Sequence, residues 1–195
     1  LTLANSFRFA ALFLAASLPA VASAQTSTWK IDPVHSGIEF KIRHLGVSNV
    51  RGSFSKPTGM VMLNEKDMSK SSVEATIDAT TVNTNEPARD GHLKSPDFFD
   101  VAKNPTLTFK STAVTKVGGK LMLMGNLTMV GVTKPVTLTL DGPAPAQTDP
   151  KGVTRSGFSA TGTLKRSDFN FGSKYPAVVL GDDVEFTIDI EMDKQ

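Results

Sequence analysis

The residues best equipped for chemistry stand together in one stretch, Arg89-Asp90-Gly91-His92-Leu93-Lys94-Ser95-Pro96-Asp97-Phe98-Phe99-Asp100. It packs cations, an imidazole and carboxylates beside two adjacent aromatics, in a chain that elsewhere alternates apolar and polar residues. A β-protein joins strands by short Gly/Pro/Asn turns, so a long connection loaded with functional side chains reads as a lid or a binding loop. Arg89, His92 and Lys94 supply the positive charge and donors that a phosphate or other polar head requires. Asp90 would repel an anion, and its expected part is to orient Arg89 or His92.

Catalysis finds no matching pattern. Three histidines with Asp and Glu nearby could furnish a metal hydrolase. Yet no pair has the helical spacing of a zinc protease, no Gly-x-Ser-x-Gly elbow occurs, and no Gly-rich phosphate loop precedes a helix. No catalytic residue, metal ligand or cofactor is therefore expected. A structural or stress-linked envelope protein without a specific ligand remains an alternative to a binding role.

The elements that must position this stretch begin after a leader. Arg8 precedes an apolar run from Phe9 to Leu18, Pro19 breaks it, and Ala22-Ser23-Ala24 offers the small residues a signal peptidase accepts. The run is shorter than the roughly 20 residues a membrane span needs. Residues 1–24 are thus read as a secretory signal and 25–195 as one domain; a buried N-terminal helix is the alternative. Cysteine is absent, which excludes disulfides, thiolate metal sites and a lipid-modified Cys at the cleavage point. Stability must come from the core, and no membrane-spanning segment is expected in the mature chain. Charges nearly balance, with 21 Lys+Arg against 19 Asp+Glu, so nothing marks a nucleic-acid partner.

A two-residue period dominates the mature chain. Ile38, Phe40 and Ile42 face one way while Glu39, Lys41 and Arg43 face the other, and His44 continues the apolar face. Val73, Ala75, Ile77 and Ala79 repeat the pattern, as do Leu107, Phe109 and Ala113, then Val136, Leu138 and Leu140. Phe158, Ala160 and Leu164, and finally Val184, Phe186, Ile188 and Ile190, complete it. These are antiparallel strands with one wet face. Gly118-Gly119 is a two-residue hairpin signal. Further turns are expected at 130–134, 141–152 and 181–183, and helical turns near 65–69 and 86–100. With 52–63 and 120–129 added, about eight strands result, for which an all-β, up-and-down antiparallel barrel is the economical closure and a two-sheet sandwich the alternative. Such a barrel is either filled by side chains or holds one small ligand.

Two strands break the one-wet-face rule. Met60-Val61-Met62-Leu63 and Leu121-Met122-Leu123-Met124 are apolar on both faces. Their outer faces call for a cover, for which a homodimer interface or a helix would serve; methionine also suits a cavity that follows a bendable apolar ligand. Phe98 and Phe99 are expected to plug one barrel end, and a plug can form a cavity floor. Trp29 is expected in the core and His35 in a turn.

Four blocks carry a resemblance. They are Asp32-Pro33-Val34-His35-Ser36-Gly37-Ile38-Glu39-Phe40, the run from Arg43 to Phe54, the stretch from Arg89 to Asp100, and Gly125-Asn126-Leu127-Thr128-Met129-Val130-Gly131-Val132-Thr133-Lys134-Pro135-Val136. In order and spacing the chain resembles the YceI-like family through nearly its whole mature length. The resemblance implies an extended lipocalin-like barrel of eight antiparallel strands, exported to the periplasm, often dimeric, enclosing a polyisoprenoid or other long amphiphile. A prenyl pyrophosphate, an isoprenoid quinone and a fatty amphiphile all fit that description. On this reading Arg89, Asp90, His92 and Lys94 serve a polar head at the mouth. Ile38, Phe40, Ile42, His44, Ile77, Phe98, Phe99, Phe109, Leu138, Phe158 and Phe186 then line the cavity that takes the tail.

Overall fold

Where apolar and polar residues alternate, the chain is extended. The computed structural model describes residues 26–195; the expected leader, 1–24, lies outside the described residues. The strands are β1 (Ser27–Ile31), β2 (Gly37–His44), β3 (Ser48–Ser55), β4 (Thr58–Leu63), β5 (Ser72–Asp78), β6 (Thr106–Val117), β7 (Lys120–Met129), β8 (Val132–Asp141), β9 (Gln147–Thr148), β10 (Thr154–Lys165) and β11 (Leu180–Lys194). Among the described residues the one α-helix, α1 (Pro87–Lys94), lies between β5 and β6, and short 3₁₀ turns occur at Met68–Lys70, Ala79–Thr81 and Arg166–Phe169.

Antiparallel pairing runs β1-β4-β5-β6-β7-β8-β10-β11, and β11 returns to β1, which closes an eight-stranded barrel. β2 and β3 extend it at one end. β11 gives one edge to β10 along most of its length; on its other edge β2 pairs with 180–189 and β1 with 192–194. β1 and β2 thus act as one long strand interrupted at 32–36, and β3 and β4 as another interrupted at Lys56 and Pro57. Residues 52–63, a single strand by sequence pattern, are therefore divided between two. Lys56 adopts φ 56, outside the extended region, and Pro57 cannot donate to a ladder, so pairing lapses there.

Hairpin chemistry behaves as the residue types require. Gly118 and Gly119 have φ 55 and 84, the positive values a tight two-residue turn demands. The turn expected at 130–134 is confined to Val130 and Gly131, and β8 begins at Val132. Two further expectations are corrected. Gly181-Asp182-Asp183 is a register irregularity inside β11, because Leu180 still pairs with His44 while regular pairing resumes at Val184 opposite Ile42. A bulge between Ser111 and Ala113 shifts the parity of β6, so Val114 takes the fully buried place.

At the end where Trp29 pairs with Lys194, Trp29, Ile31, Val61, Leu63 and Met192 pack into a closed core. Each large side chain so buried contributes about 1.5–3 kcal/mol. Met60 and Met62 face outward and are about 40% exposed, at 40% and 39%. The opposite, upper end collects the long connections: the β2–β3 hairpin, residues 79–105 with α1, and residues 166–179. There β3 and β5 are not paired; Ser53 bridges to Asn83 and Ser55 hydrogen-bonds Thr81, and the 79–105 segment fills the gap.

Candidate functional site

The barrel encloses an elongated cavity of ≈ 430 Å³, within the size range of small-molecule sites, roughly 300–1,000 Å³. All eleven side chains expected to line it do so: Ile38, Phe40, Ile42, His44, Ile77, Phe98, Phe99, Phe109, Leu138, Phe158 and Phe186. Strand parity explains nine of them, since inward positions recur every second residue; Phe98 and Phe99 come from the connection that follows α1. The wall is almost wholly hydrocarbon. Its polar members, His44, Thr84, Arg89, His92, Arg166 and Tyr175, gather at the upper end, and among the described residues no carboxylate lines it.

Phe98 and Phe99 are buried at that upper end, forming a roof beside the opening. They belong to a chain of aromatic contacts. Phe40 meets Phe54 at 5.6 Å between centroids, Phe54 meets Phe99 at 5.5 Å, and Phe99 meets Phe171 at 4.5 Å. Phe98 stacks on Tyr175 at 5.4 Å and takes the His92 ring edge-on at 5.0 Å. Such pairs add about 0.5–1.5 kcal/mol each beyond their area.

Helix α1 starts as its sequence dictates, with Pro87 in the first turn and the Glu86 side chain accepting from the Ala88 N–H at 3.3 Å. From it Arg89 and His92 reach the cavity wall, whereas Asp90 and Lys94 do not. Asp90 reaches Arg89 through Thr84. The Thr84 hydroxyl donates to Asp90 Oδ1 at 2.6 Å and accepts from Arg89 Nε at 2.7 Å, while Arg89 Nη2 donates to the Thr84 carbonyl at 2.9 Å. Asp90 also accepts the Thr84 N–H at 2.8 Å. Arg89 Nη1 has no protein partner among the described residues. Lys94 lies on another side of the helix, close enough to Asp78 to favour its ionised form.

His92 Nε2 stands 3.4 Å from Asp97 Oδ2 and 3.4 Å from the Tyr175 hydroxyl. Lys174 donates to Asp97 Oδ1 at 2.5 Å. Hydrogen bonding from Lys174 first, then from His92, holds the Asp97 carboxyl below the usual range. Residue 97 is therefore a charged strut between α1 and the 166–179 connection.

That connection is organised by a residue the sequence reading missed. Arg166, only 4% exposed, donates to five backbone carbonyls: Phe171 at 3.0 Å, Gly172 at 2.9 Å, Tyr175 at 2.6 Å, Leu180 at 2.8 Å and Gly181 at 2.9 Å. A signal was present, because residue 166 continues the inward parity of Phe158, Ala160 and Leu164. Thr84 and Tyr175 were missed too, and for Thr84 no sequence signal exists.

His35 sits in the 32–36 break, as expected for a turn residue, and pairs with Asp32 at 2.7 Å. Glu191 is 3.6 Å from the same nitrogen, but its carboxylate is engaged by Arg155 Nε at 3.0 Å. The donor atoms of Asp32, His35 and Glu191 lie within metal-binding reach of one another. With Arg155 on Glu191 and a hydrogen bond from His35 to Asp32, the group works as an ion-pair clasp across the strand break.

The YceI-like domain model matches residues 29–192. A UPF0312 protein of Pseudomonas aeruginosa is 41% identical over 184 residues, covering 93% of this chain and 95% of its own. The crystal structure of the Campylobacter jejuni YCEI protein superposes with a TM-score of 0.70 at 31% identity, covering 78% of this chain and 90% of the other. A domain from Saccharophagus degradans, described as polyisoprenoid binding and implicated in plant cell wall breakdown, shares the fold with a TM-score of 0.65 at 14% identity, covering 88% of this chain and all of its own. With its closed eight-stranded barrel and a match across nearly every described residue, the chain belongs to the YceI-like family.

Proposed function

We propose that the barrel binds a long amphiphile, a polyisoprenoid with a pyrophosphate or quinone head, and carries it in the periplasm after export. One observation carries the reading: a hydrocarbon-walled cavity whose polar groups are confined to one end, where cations and neutral donors or acceptors line it and carboxylates do not. Burial of each CH₂ of a tail is worth roughly 0.8 kcal/mol, so even partial enclosure makes a competent binder. The head meets Arg89, His92 and Tyr175 at the opening, with Asp90 acting through Thr84. The role is binding, with no chemical step assigned to any residue. The polyisoprenoid-binding description of the Saccharophagus domain supports the same class of ligand.

The test is a titration of a prenyl pyrophosphate and a neutral isoprenoid quinone against wild type and Arg89→Ala, with circular dichroism to check folding. A charge-assisted hydrogen bond is worth about 1.5–3 kcal/mol, so the pyrophosphate should lose about ten- to a hundredfold in affinity and the quinone much less. Equal losses would make residues 89–94 a structural lid. Failure of both lipids to bind wild type, together with lipid-free organic extracts of the natively purified protein, would overturn the binding role itself.

A further inference from the structure

Around the opening the surface is apolar where water should favour polar residues. Leu45, Val47 and Val178 are 54%, 80% and 75% exposed, and Pro176 and Ala177 are exposed beside them. The two contributing segments are joined, since the Leu45 N–H donates to the Val179 carbonyl at 2.8 Å. Val179 and Leu180 turn into the cavity wall, so rim and lumen form one continuous apolar surface. An exposed run of consecutive apolar residues serves no folding purpose.

The residue at position 45 sharpens the point. Leu45 and Gly46 form the hairpin turn with φ 51 and 68. Such a turn favours Asn-Gly, and a leucine there meets a steric penalty in addition to its exposure. Val130-Gly131 closes the β7–β8 hairpin with the same geometry, at φ 51 and 72, but Val130 packs against the core, whereas Leu45 has no core contact among the described residues to offset its turn.

Two arginines on the outer face of the β2–β3 hairpin lack an acidic partner. Arg43 and Arg51 make no ion pair among the described residues; Arg43 donates only to the Asn49 side chain, at 3.3 Å. The carboxylates nearby are already engaged, Asp97 by Lys174, Asp182 and Asp183 by Lys165, and Glu185 by Lys41. Exposed apolar side chains beside two unpaired arginines, with a tyrosine at the border, are a combination that settles at the interface of an anionic bilayer.

We infer that this rim seats the barrel mouth on an anionic lipid surface, so that a chain leaving the bilayer enters the cavity without crossing water. The inference extends the lipid-binding reading and is tested separately from it. The full protein is sedimented with vesicles of phosphatidylcholine alone and of phosphatidylcholine mixed with phosphatidylglycerol. Binding is expected to the mixed vesicles, weakening with salt as charges are screened. Val47→Ser combined with Val178→Ser should reduce it by about tenfold or more, the scale set by removing several buried carbons; Arg43→Gln with Arg51→Gln should abolish the preference for phosphatidylglycerol.

Leu45→Asn is the decisive variant, because it relieves the turn. It should bind vesicles more weakly while melting no lower than wild type. In parallel, each protein takes up a fluorescent prenyl lipid from detergent, without vesicles. Unchanged uptake by the rim variants supports the assignment. Absence of wild-type binding to the mixed vesicles, or full binding by the variants, overturns it, as would a rim substitution that dissolves a dimer in light scattering and leaves vesicle binding intact. Loss of uptake in wild type with vesicle binding preserved would instead sink the lipid-cavity reading and leave the docking surface standing.

Discussion

The Phe40 ring lies across its cross-strand partner Gly52, so closely that a Cβ on residue 52 would come 2.4 Å from Phe40 Cζ. Phe186 stands in the same relation to Gly162, at 2.5 Å, and Phe109 leans over a diagonal neighbour on the facing strand, Gly125, at 2.3 Å. Three of the bulkiest lumen residues thus lean on the barrel wall, which keeps open a cavity they would otherwise cross.

Gly162→Ala should push the Phe186 ring toward the lumen. Overpacking of this kind costs about 1–3 kcal/mol and should also reduce uptake of a long lipid. Denaturant midpoints and lipid titrations read the two effects. Adding Phe186→Leu to the variant should recover both, and failure to recover would mean that the glycine serves the strand and not the cavity.

Arg166→Met should be the most damaging single change among the polar residues. It strips five backbone carbonyls, two of them in fully buried hydrogen bonds, of their shared donor, and each buried acceptor left unpaired costs about 1–3 kcal/mol. Chemical denaturation measures the loss. Hydrogen exchange should show new opening over residues 170–181, which Arg166 ties together.

The Asp32–His35 pair gives a pH dependence. Its hydrogen bond to Asp32, reinforced by the charges of Asp32 and Glu191, raises the His35 pKa above the ordinary 6.5. The contribution of His35 is therefore complete below pH 6.5 and is lost as pH rises through the raised value. Hydrogen bonds from His35 and the Val34 N–H lower the Asp32 pKa below 3.8, so its contribution holds above 3.8 and is lost as pH falls through the depressed value. Unfolding midpoints followed upward from pH 6.5 should decline in wild type and decline less in His35→Gln.

Thr84→Val preserves shape while removing the hydroxyl that bridges Asp90 to Arg89 Nε, leaving only the contacts through the residue 84 backbone. With one charge-assisted contact no longer held in place, affinity for a prenyl pyrophosphate should fall about tenfold while a quinone binds nearly unchanged. Calorimetry with both lipids decides it, and equal changes would detach Thr84 from the head group.

Met60 and Met62 stand on the outer wall, and Met122 faces outward on β7 with part of its surface exposed. We propose a homodimer that covers at least one of these strands. Light scattering at micromolar concentration should then report twice the monomer mass, and Met122→Lys or Met62→Lys should lower it. A monomer throughout would leave the methionines as tolerated surface.

Alternation made the wall legible in sequence. Within the regular strands the inward residues, from Ile38 in β2 to Phe186 in β11, repeat at a spacing of two, and one buried face enforces that register. Legibility ended where the period did. The bulge in β6 and the irregularity in β11 depend on how neighbouring strands pair, which no local pattern encodes. The site split in the same way: Arg89 and His92 were visible as charges in a long connection, but the direction of Lys94 depends on how α1 sits. Arg166 was hidden because a cation at a strand end ordinarily faces water.

β11 touches β10 along one edge and both β1 and β2 along the other, and it comes last among the described strands. Until it is in place the sheet has two bare edges, and the pairing of Trp29 with Lys194 joins opposite ends of the described chain. Closure of that sort carries a large loop entropy and is slow. A partner chain, or a holdase that keeps strand edges covered, therefore has its longest opportunity before the final strand docks, and truncation within β11 should convert the molecule into strand-exchanged oligomers.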